Sequence, residues 1–430
     1  MALQNPEPTQ KQETENQTTE SPDDDILTYP EGGLRAWGVV FGSFCIMLSV
    51  FGVINTAAVF ESYFKENQLK DKAPSTVAWI FSLYLFNIYF LGLLAGPIFD
   101  RHGHRLLIFV GSVLVVVSFM LLSLCSEYYQ IILCFSMLFG IGASLMNIPA
   151  YAVIGHWFDK RRGFAVGVAS TAGGIGGIIF PLVFQATLPS IGFAWSMRML
   201  GFILLLLAVP SNLLIRTRLP PSEQFESAWP EFRLFKDPRL SLCCAGIFFM
   251  EYGILVPLTY VVSYATEHGH ASTNSYMLPA LLNAGSVVGR VVPGIISDRI
   301  GRFNVLIITV GACIICVLAL WLPAGDSKPM LIAFTLLLGF ASGGNVSLVP
   351  VCIGQLCDSK DYGRYLSTAL LAASFGTLTG IPIGGALLGL GHRDGWLAVI
   401  IFSGASYAVS WSCYVAARIL AVGWTVKAIY

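Results

Sequence analysis

Twelve long apolar runs constrain this chain of 430 residues more than any other feature of its sequence. A helix needs roughly 20 apolar residues to cross the hydrocarbon core of a bilayer. In lipid, only helices and closed barrels satisfy the polar groups of the backbone, and uninterrupted runs of this length indicate helices. The sequence therefore predicts an all-α polytopic membrane protein with twelve spans, at residues 37–61, 76–98, 106–125, 129–154, 164–187, 194–215, 241–264, 276–297, 304–323, 329–353, 365–389 and 396–418.

The charge content supports this interpretation. Only 12% of the residues are charged and 55% are hydrophobic, whereas about 25% of the residues of a soluble domain are charged. Lys and Arg together number 25, as do Asp and Glu, so no basic surplus is available to bind a nucleic acid. The composition excludes a single soluble domain, a disordered protein and a nucleic-acid-binding protein. The lipid bilayer is the expected partner.

The distribution of basic residues predicts the orientation in the membrane. Eighteen of the 25 Lys and Arg residues lie in the termini and the even-numbered loops, and five lie in the odd-numbered loops. Cytoplasmic loops carry the excess of Lys and Arg. Both termini and the central loop are therefore expected in the cytoplasm. The other two basic residues, Arg198 and Arg290, lie within spans.

The longest polar gap follows span six and divides the spans into two sets of six. The first thirty residues are polar and acidic, a composition that cannot bury a core and predicts disorder. We expect five segments: a disordered cytoplasmic tail at 1–34, a six-helix half at 35–215, a cytoplasmic central loop at 216–240, a second six-helix half at 241–418, and a cytoplasmic tail at 419–430.

A short motif occurs once in each half. The pattern Gly-x-x-x-Asp-Arg-x-Gly occupies residues 96–103 after span two and residues 294–301 after span eight, an offset of 198 residues. A weaker echo relates Gly163 after span four to Gly363 after span ten. Two repeated halves are typical of transporters, and an aspartate at a span end can pair with arginines or a helix N-terminus. We interpret the motifs as a cytoplasmic gate rather than ordinary turns, with these residues: Gly96, Asp100, Arg101, Asp298, Arg299 and Arg302.

Four further segments carry a family resemblance. They are Pro-Glu-Gly-Gly-Leu-Arg-Ala-Trp at 30–37, His-Trp-Phe-Asp-Lys-Arg-Arg-Gly-Phe-Ala-Val-Gly at 156–167, Asn-Ala-Gly-Ser-Val-Val-Gly-Arg at 283–290, and Gly-Phe-Ala-Ser-Gly at 339–343 with Val-Ser-Leu-Val-Pro at 346–350. With the two repeats, they make the chain similar to the major facilitator superfamily, and within it to the fungal branch of the monocarboxylate porter family. The resemblance covers residues 30 to 418 and implies a transporter with alternating access.

Two ionisable residues lie deep in spans, where such groups are costly and usually functional. Arg290 is near the middle of span eight and shares a helix face with Asn283 and Ser286. The resemblance implies that Arg290 binds the carboxylate of the substrate; a structural arginine bound to backbone carbonyls is the alternative. Glu251, in the middle of span seven, could carry a proton or could pair permanently with Arg290 or another polar group.

At two positions the chain departs from the animal members of that family. They resemble one another in having a lysine in span one, where this chain has Asn55, and an aspartate one turn before the span-eight arginine, where this chain has Ser286. Their lysine–aspartate–arginine proton relay is therefore not carried over. A substrate larger or less acidic than lactate is expected.

Other polar residues within spans are candidates for the substrate cavity. They could equally form hydrogen bonds between helices. The substrate site predicted from these residues and the deep arginine comprises Arg290, Asn55, Asn147, Asn283, Tyr252 and Asn345, with Glu251 as the proton-coupling residue.

An enzyme embedded in the membrane is not expected. It would need an acidic metal cluster or a catalytic His at a span end, and the acidic run at residues 23–25 belongs to the tail. We expect no catalytic residue, metal or cofactor, and a monomer in the plasma membrane. The expected function is proton-linked secondary transport of a small carboxylate-bearing organic solute. The alternative is export of a fungal secondary metabolite made by a neighbouring biosynthetic pathway.

Overall fold

The computed structural model describes residues 29–72, 74–219, 231–270 and 277–424. Most of the predicted N-terminal tail, the middle of the central loop at 220–230 and the end of the C-terminal tail lie outside the described residues. Within them, every regular element is a helix. The predicted all-α membrane fold is confirmed.

Eleven helical stretches in the described residues are long and apolar enough to cross a membrane. They are Gly33–Gly52, Thr76–His102, Arg105–Leu122, Tyr128–His156, Arg162–Leu214, Pro238–Gly269, Met277–Ile300, Arg302–Trp321, Lys328–Ile353, Tyr362–Leu388 and Asp394–Val422. We number the spans one to twelve in chain order, because Arg162–Leu214 contains spans five and six.

The stretch Arg162–Leu214 is 53 residues long. At 1.5 Å per residue it would extend about 80 Å, far beyond the ~30 Å of the hydrocarbon core. Its helical conformation breaks at Gly192, where φ is 73°, in the left-handed region that favours glycine. The helical conformation of spans five and six is therefore interrupted only at this glycine, which lies in the gap at 188–193 between the two predicted spans.

The first span is less regular than its sequence suggests. It begins at Gly33, inside the tail predicted for residues 1–34, and changes to a π-helix at Leu48–Gly52. After a turn at Asn55 and Thr56 the chain continues as the helix Ala57–Glu66. Short π-helical segments within helices often lie at functional sites. Here the π-helix and the turn that follows it place Asn55 outside a regular α-helix.

Glycines set the closest contacts between spans. A Cβ added at Gly176 of span five would lie 2.4 Å from the Cα of Gly52 in span one. A Cβ added at Gly289 of span eight would lie 1.9 Å from the carbonyl oxygen of Phe340 in span ten. No side chain larger than hydrogen fits at such distances. Span five therefore packs tightly on span one, and span eight packs tightly on span ten.

Candidate functional site

Arg290 lies against the glycine-rich face of span five. Its side chain is 7% exposed, and Nη1 donates a hydrogen bond to the carbonyl oxygen of Ser170. A Cβ added at Gly173 would lie 2.6 Å from Nη1. Its Nε has no hydrogen-bond partner among the described residues. The guanidinium is therefore buried where two glycine-rich helices meet, and its hydrogen-bonding capacity is only partly used.

Two predicted site residues, Asn55 and Asn283, pack against the same face of span five as Arg290. Asn55 donates through Nδ2 to the carbonyl oxygen of Gly173 at 2.8 Å. A Cβ added at Gly177 would lie 2.8 Å from both Asn55 Cβ and Asn283 Nδ2. The glycine run at 173–177 thus lets spans one and eight bring Asn55, Asn283 and Arg290 close to one helix face.

Two tyrosines of the first half complete the surroundings of Arg290. Tyr151 of span four and Tyr89 of span two both interact electrostatically with Arg290. The ring of Tyr151 also meets the ring of Phe51 edge-on, with centroids 6.5 Å apart. Aromatic side chains from spans two and four thus lie within electrostatic range of Arg290, and that of Tyr151 packs on Phe51 of span one.

Asn147 precedes Tyr151 by one helical turn, so the two residues share a face of span four. It is 1% exposed, and neither its Nδ2 nor its Oδ1 has a partner among the described residues. A buried amide without hydrogen bonds costs free energy. Asn147 therefore has a donor and an acceptor available beside the Arg290 region.

Glu251 does not form an ion pair with Arg290 in the part of the chain that the structure describes. Its Cβ would lie 3.1 Å from a Cβ added at Gly376, so it packs on span eleven. It interacts electrostatically with Tyr89 of span two and Tyr407 of span twelve. Tyr89 therefore lies within electrostatic range of both deep charges.

Two predicted site residues contact other helices instead. The Tyr252 hydroxyl shares a 2.8 Å hydrogen bond with Thr379 Oγ1 of span eleven. Asn345 donates to the sulfur of Cys313 in span nine at 3.3 Å. No contact among the described residues brings these two residues to Arg290, Asn55 and Asn283, which we call the Arg290 cluster. Their part in a substrate site stays a prediction.

At the span ends that the sequence predicts to be cytoplasmic, the aspartate of each repeated motif caps a helix of the opposite half. Asp298 accepts the backbone N–H groups of Gly163 and Phe164, both at 2.8 Å. Asp100 accepts those of Gly363 and Arg364, at 2.9 and 2.7 Å. A carboxylate at a helix N-terminus is stabilised by unpaired amides and by the helix dipole. Two related capping contacts thus join span eight to span five and span two to span eleven.

The motif glycines make these contacts possible. A Cβ added at Gly96 would lie 2.3 Å from the carbonyl oxygen of Gly363, and one added at Gly294 would lie 2.6 Å from that of Gly163. Both crossings therefore bring backbone against backbone. The weak echo between residues 163 and 363 marks the two partners of the motif glycines.

The basic residues of the predicted gate differ in their surroundings. Arg101 and Arg299 are exposed. Arg302 donates to the carbonyl oxygen of Asp159 and lies 3.7 Å from its carboxylate. The sequence interpretation missed Arg162, which is 1% exposed and donates to Gly354 at 3.0 Å. Arg162 therefore joins the two halves from within the loop between spans four and five.

The residues before span one also bind this loop. The Glu31 carboxylate accepts three successive backbone N–H groups, from Asp159 at 2.8 Å, Lys160 at 2.7 Å and Arg161 at 3.0 Å. The Tyr29 hydroxyl donates to Ser359 Oγ at 3.0 Å. Tyr29 and Glu31 lie within the tail predicted to be disordered, yet they tie the loop between spans four and five to that between spans ten and eleven.

Comparison with known proteins decides the family. The sequence profile of the Major Facilitator Superfamily matches residues 39–358. The chain belongs to the Major Facilitator Superfamily. It is a multi-pass membrane transporter and not an enzyme.

Its relatives among fungal transporters cover almost the whole chain. The riboflavin transporter MCH5 of Saccharomyces cerevisiae is 36% identical, over 94% of this chain and 82% of that protein. The MFS-type transporter opdF of Penicillium oxalicum is 37% identical, over 95% and 96%. The fujikurins efflux protein of Gibberella fujikuroi is 36% identical, over 91% and 84%.

A solved structure shares the transporter's fold. The crystal structure of the human organic anion transporter MFSD10 superposes with a TM-score of 0.68 at 15% identity, over 88% of this chain and 98% of that one. At this identity the likeness concerns the fold alone. It agrees with the helical architecture described above.

Sequence reasoning missed Tyr89, Tyr151 and Glu31 in this transporter. The signal for Tyr151 was its place one turn after Asn147. The signal for Glu31 was a carboxylate directly before Gly-Gly at the start of a span, a context that suits a sharp turn and a cap. Nothing in the sequence distinguished Tyr89 from the other aromatic residues of span two.

Proposed function

We propose that this transporter moves a small organic solute that bears a carboxylate, by alternating access around Arg290. The observation that carries the proposal is the state of this guanidinium: it is buried, its Nε is unpartnered and no carboxylate among the described residues pairs with it. An uncompensated buried charge is costly. A planar guanidinium binds carboxylates through two parallel hydrogen bonds, so the solute would supply the missing counter-charge.

The neighbouring groups suggest the rest of the solute. The unpartnered amide of Asn147 offers one donor and one acceptor, and Asn55 and Asn283 add further amides nearby. The rings of Phe51 and Tyr151 offer apolar faces. This environment fits a solute with carbonyl or hydroxyl groups and a ring in addition to its acid. The yeast relative is named a riboflavin transporter, and riboflavin has a ring system with carbonyl and hydroxyl groups but no carboxylate.

We propose that Glu251 couples transport to a proton gradient. It is a carboxylate within a span that has no basic partner among the described residues. A carboxylate within a span can load and release a proton as its access to water changes. Tyr89 lies within electrostatic range of both Glu251 and Arg290.

We also propose how the cytoplasmic side closes, and in which membrane and orientation the transporter lies. The capping contacts of Asp100 and Asp298 would hold the cytoplasmic side closed, together with Gly96, Arg101, Arg299 and Arg302. We place the transporter in the fungal branch of the monocarboxylate porter family, as a monomer in the plasma membrane. Both termini and the central loop would be cytoplasmic, with six-helix halves at 35–215 and 241–418.

Metabolite profiling of a deletion strain tests this function. We expect an organic acid to change in opposite directions in cells and medium when the gene is deleted, and to return to its level with the wild-type gene. Arg290→Ala should fail to restore it. A matched control is Arg198→Ala, because Arg198 is also within a span but donates to Ser123 Oγ at 3.1 Å and lies over the Trp195 ring. Restoration by Arg290→Ala would reject the proposal.

Export of a secondary metabolite is the second candidate function. The similarity to the fujikurins efflux protein favours it, as does the absence of the lysine and the aspartate of the relay at Asn55 and Ser286. The profile of the deletion strain separates the two: export predicts accumulation in cells and loss from the medium, whereas uptake predicts the reverse. Biosynthetic genes beside this gene would also favour export, and catabolic genes would favour uptake.

A further inference from the structure

A cavity lies at the predicted cytoplasmic ends of spans two, three and six. Its volume is about 580 Å³. The residues that line it are His102, Gly103, His104, Arg105, Asn212, Leu213, Ile215, Arg216 and Thr217. Four of these side chains are basic or can become so, and none is acidic. The cavity belongs to the first half alone and lies outside the Arg290 cluster.

Two arginines of this cavity are open to a ligand. Arg105 begins span three and Arg216 follows span six, and both side chains are exposed. Neither forms an ion pair with a residue that the structure describes. Two guanidinium groups from separate segments can bind different oxygens of one phosphate.

His104 supplies a buried polar group in the same cavity. It is 7% exposed, and its Nδ1 has no partner among the described residues, while its ring forms a hydrogen bond with the backbone of Ile215. Burial and, after it, the charge of Arg105 hold the pKa of His104 below its ordinary value. The negative charge of a bound anion would favour the protonated ring, so that His104 could take up a proton and donate to the anion.

The start of span three adds backbone donors. The helix Arg105–Leu122 has 18 residues, and no side chain caps its N-terminus. The first amides of a helix lack partners within the helix, and together with the helix dipole they favour anions. This helix end lies among the basic side chains of the cavity.

The cavity around His104 differs from the corresponding place in the second half. With the offset of 198 residues, His104 corresponds to Arg302. Arg302 is engaged with the carbonyl and carboxylate of Asp159. In the first half this position holds a shorter side chain turned to Ile215, and the space around it is open.

We propose that this cavity binds a phosphate-bearing anion. Its source is either the headgroup of an anionic phospholipid or a free phosphate. Apolar side chains continue from the cavity towards the membrane: Leu106 is 67% exposed, Phe109 60% and Leu213 67%. They would lie along the acyl chains of a lipid. Basic pockets between helices on the cytoplasmic side bind such headgroups.

Native mass spectrometry of the purified transporter tests the site with three probes: phosphatidylinositol, diacylglycerol with the same acyl chains, and inorganic phosphate. The variant is Arg105→Gln/Arg216→Gln. The control is Arg233→Gln, an exposed residue on the same side that does not line the cavity. We expect phosphatidylinositol to bind the wild type and the control, and the double variant to bind it about tenfold more weakly. Diacylglycerol should not bind.

The arms distinguish the two sources. Retention of phosphatidylinositol that inorganic phosphate does not displace assigns a lipid, and specific binding of inorganic phosphate that the double variant loses assigns a free anion. Equal binding of all probes to wild type and double variant would overturn the proposal. If the double variant elutes as an aggregate, a photoreactive phosphatidylinositol on the wild type decides. Crosslinks at residues 102–106 and 212–217 support the site, and crosslinks only elsewhere reject it.

Discussion

The carboxylate of Asp298 accepts the backbone N–H of Gly163 at 2.8 Å. The carboxylate of Asp100, 198 residues earlier, accepts the backbone N–H of Gly363 at 2.9 Å. Each half of the transporter thus caps a helix of the other half with the same side chain at the same place in its repeat. Because a capped helix end must separate from its aspartate before the halves can part, opening of this side of the bundle would have to break these contacts.

The double variant Asp100→Asn/Asp298→Asn should open the cytoplasmic side more often. Asparagine keeps the size but loses the charge at each helix N-terminus, at a cost of about 1 kcal/mol per site. We expect a cytoplasmic maleimide to label Cys357, which lines the cavity of about 570 Å³ beside Asp298, several times faster. Peptide mapping measures the rate. Asp394→Asn, at the start of span twelve, serves as control, and equal labelling in all three proteins would contradict the gate.

Gly176→Ala should destabilise the helix bundle. The new methyl group would lie 2.4 Å from the Cα of Gly52, and backbone cannot move aside as a flexible side chain can. Overpacking of this kind costs about 1–3 kcal/mol, which thermal unfolding in detergent detects as a lower Tm. Gly38→Ala is the matched control, since its methyl group would meet nothing within 4 Å. A Tm equal to that of the control would show that spans one and five are less close than described.

Glu31→Gln should loosen the loop between spans four and five. Three backbone amides lose their charged acceptor, at a cost of about 1–3 kcal/mol. Hydrogen exchange at residues 159–161 should accelerate. Glu127→Gln provides the comparison, because Glu127 also caps a helix start but at residue 128. The Glu127→Gln variant should change hydrogen exchange near residue 128 only. Exchange at residues 159–161 that is as slow in Glu31→Gln as in the wild type would refute the contact.

Glu251→Gln should abolish proton-driven accumulation and spare the exchange of solute across the membrane. The amide keeps the shape of a protonated carboxyl but cannot release a proton. Reconstituted vesicles with an imposed pH gradient measure both activities. Glu61→Gln is the control. Glu61 forms an ion pair with Lys65 at 2.6 Å and pairs with neither of the two deep charges. Accumulation in Glu251→Gln that keeps its dependence on the pH gradient would reject Glu251 as the proton carrier.

The fold and the capping contacts were accessible to sequence reasoning because they repeat. The lengths of the apolar runs predicted the helices. The 198-residue offset identified Asp100 and Asp298 as equivalent positions of a repeat before any contact was known. The rotation of each span about its axis was not accessible, because spans that are apolar on all sides carry little periodic signal. Asn55 and Asn283 were predicted for the site and meet on span five, whereas Tyr252 and Asn345 turn to other helices. Tyr89 and Tyr151 were missed for the same reason.

In the proposed transport cycle, Arg290 supplies the positive charge to which the solute binds. The most direct test of this claim is transport, by reconstituted vesicles, of the organic acid that metabolite profiling identifies. Loss of a buried charged hydrogen-bond partner weakens binding by about a hundredfold or more. We predict that Arg290→Ala loses transport to this extent while Arg198→Ala retains it, with both proteins inserted at wild-type levels. Transport by Arg290→Ala at the rate of the wild type would contradict the claim.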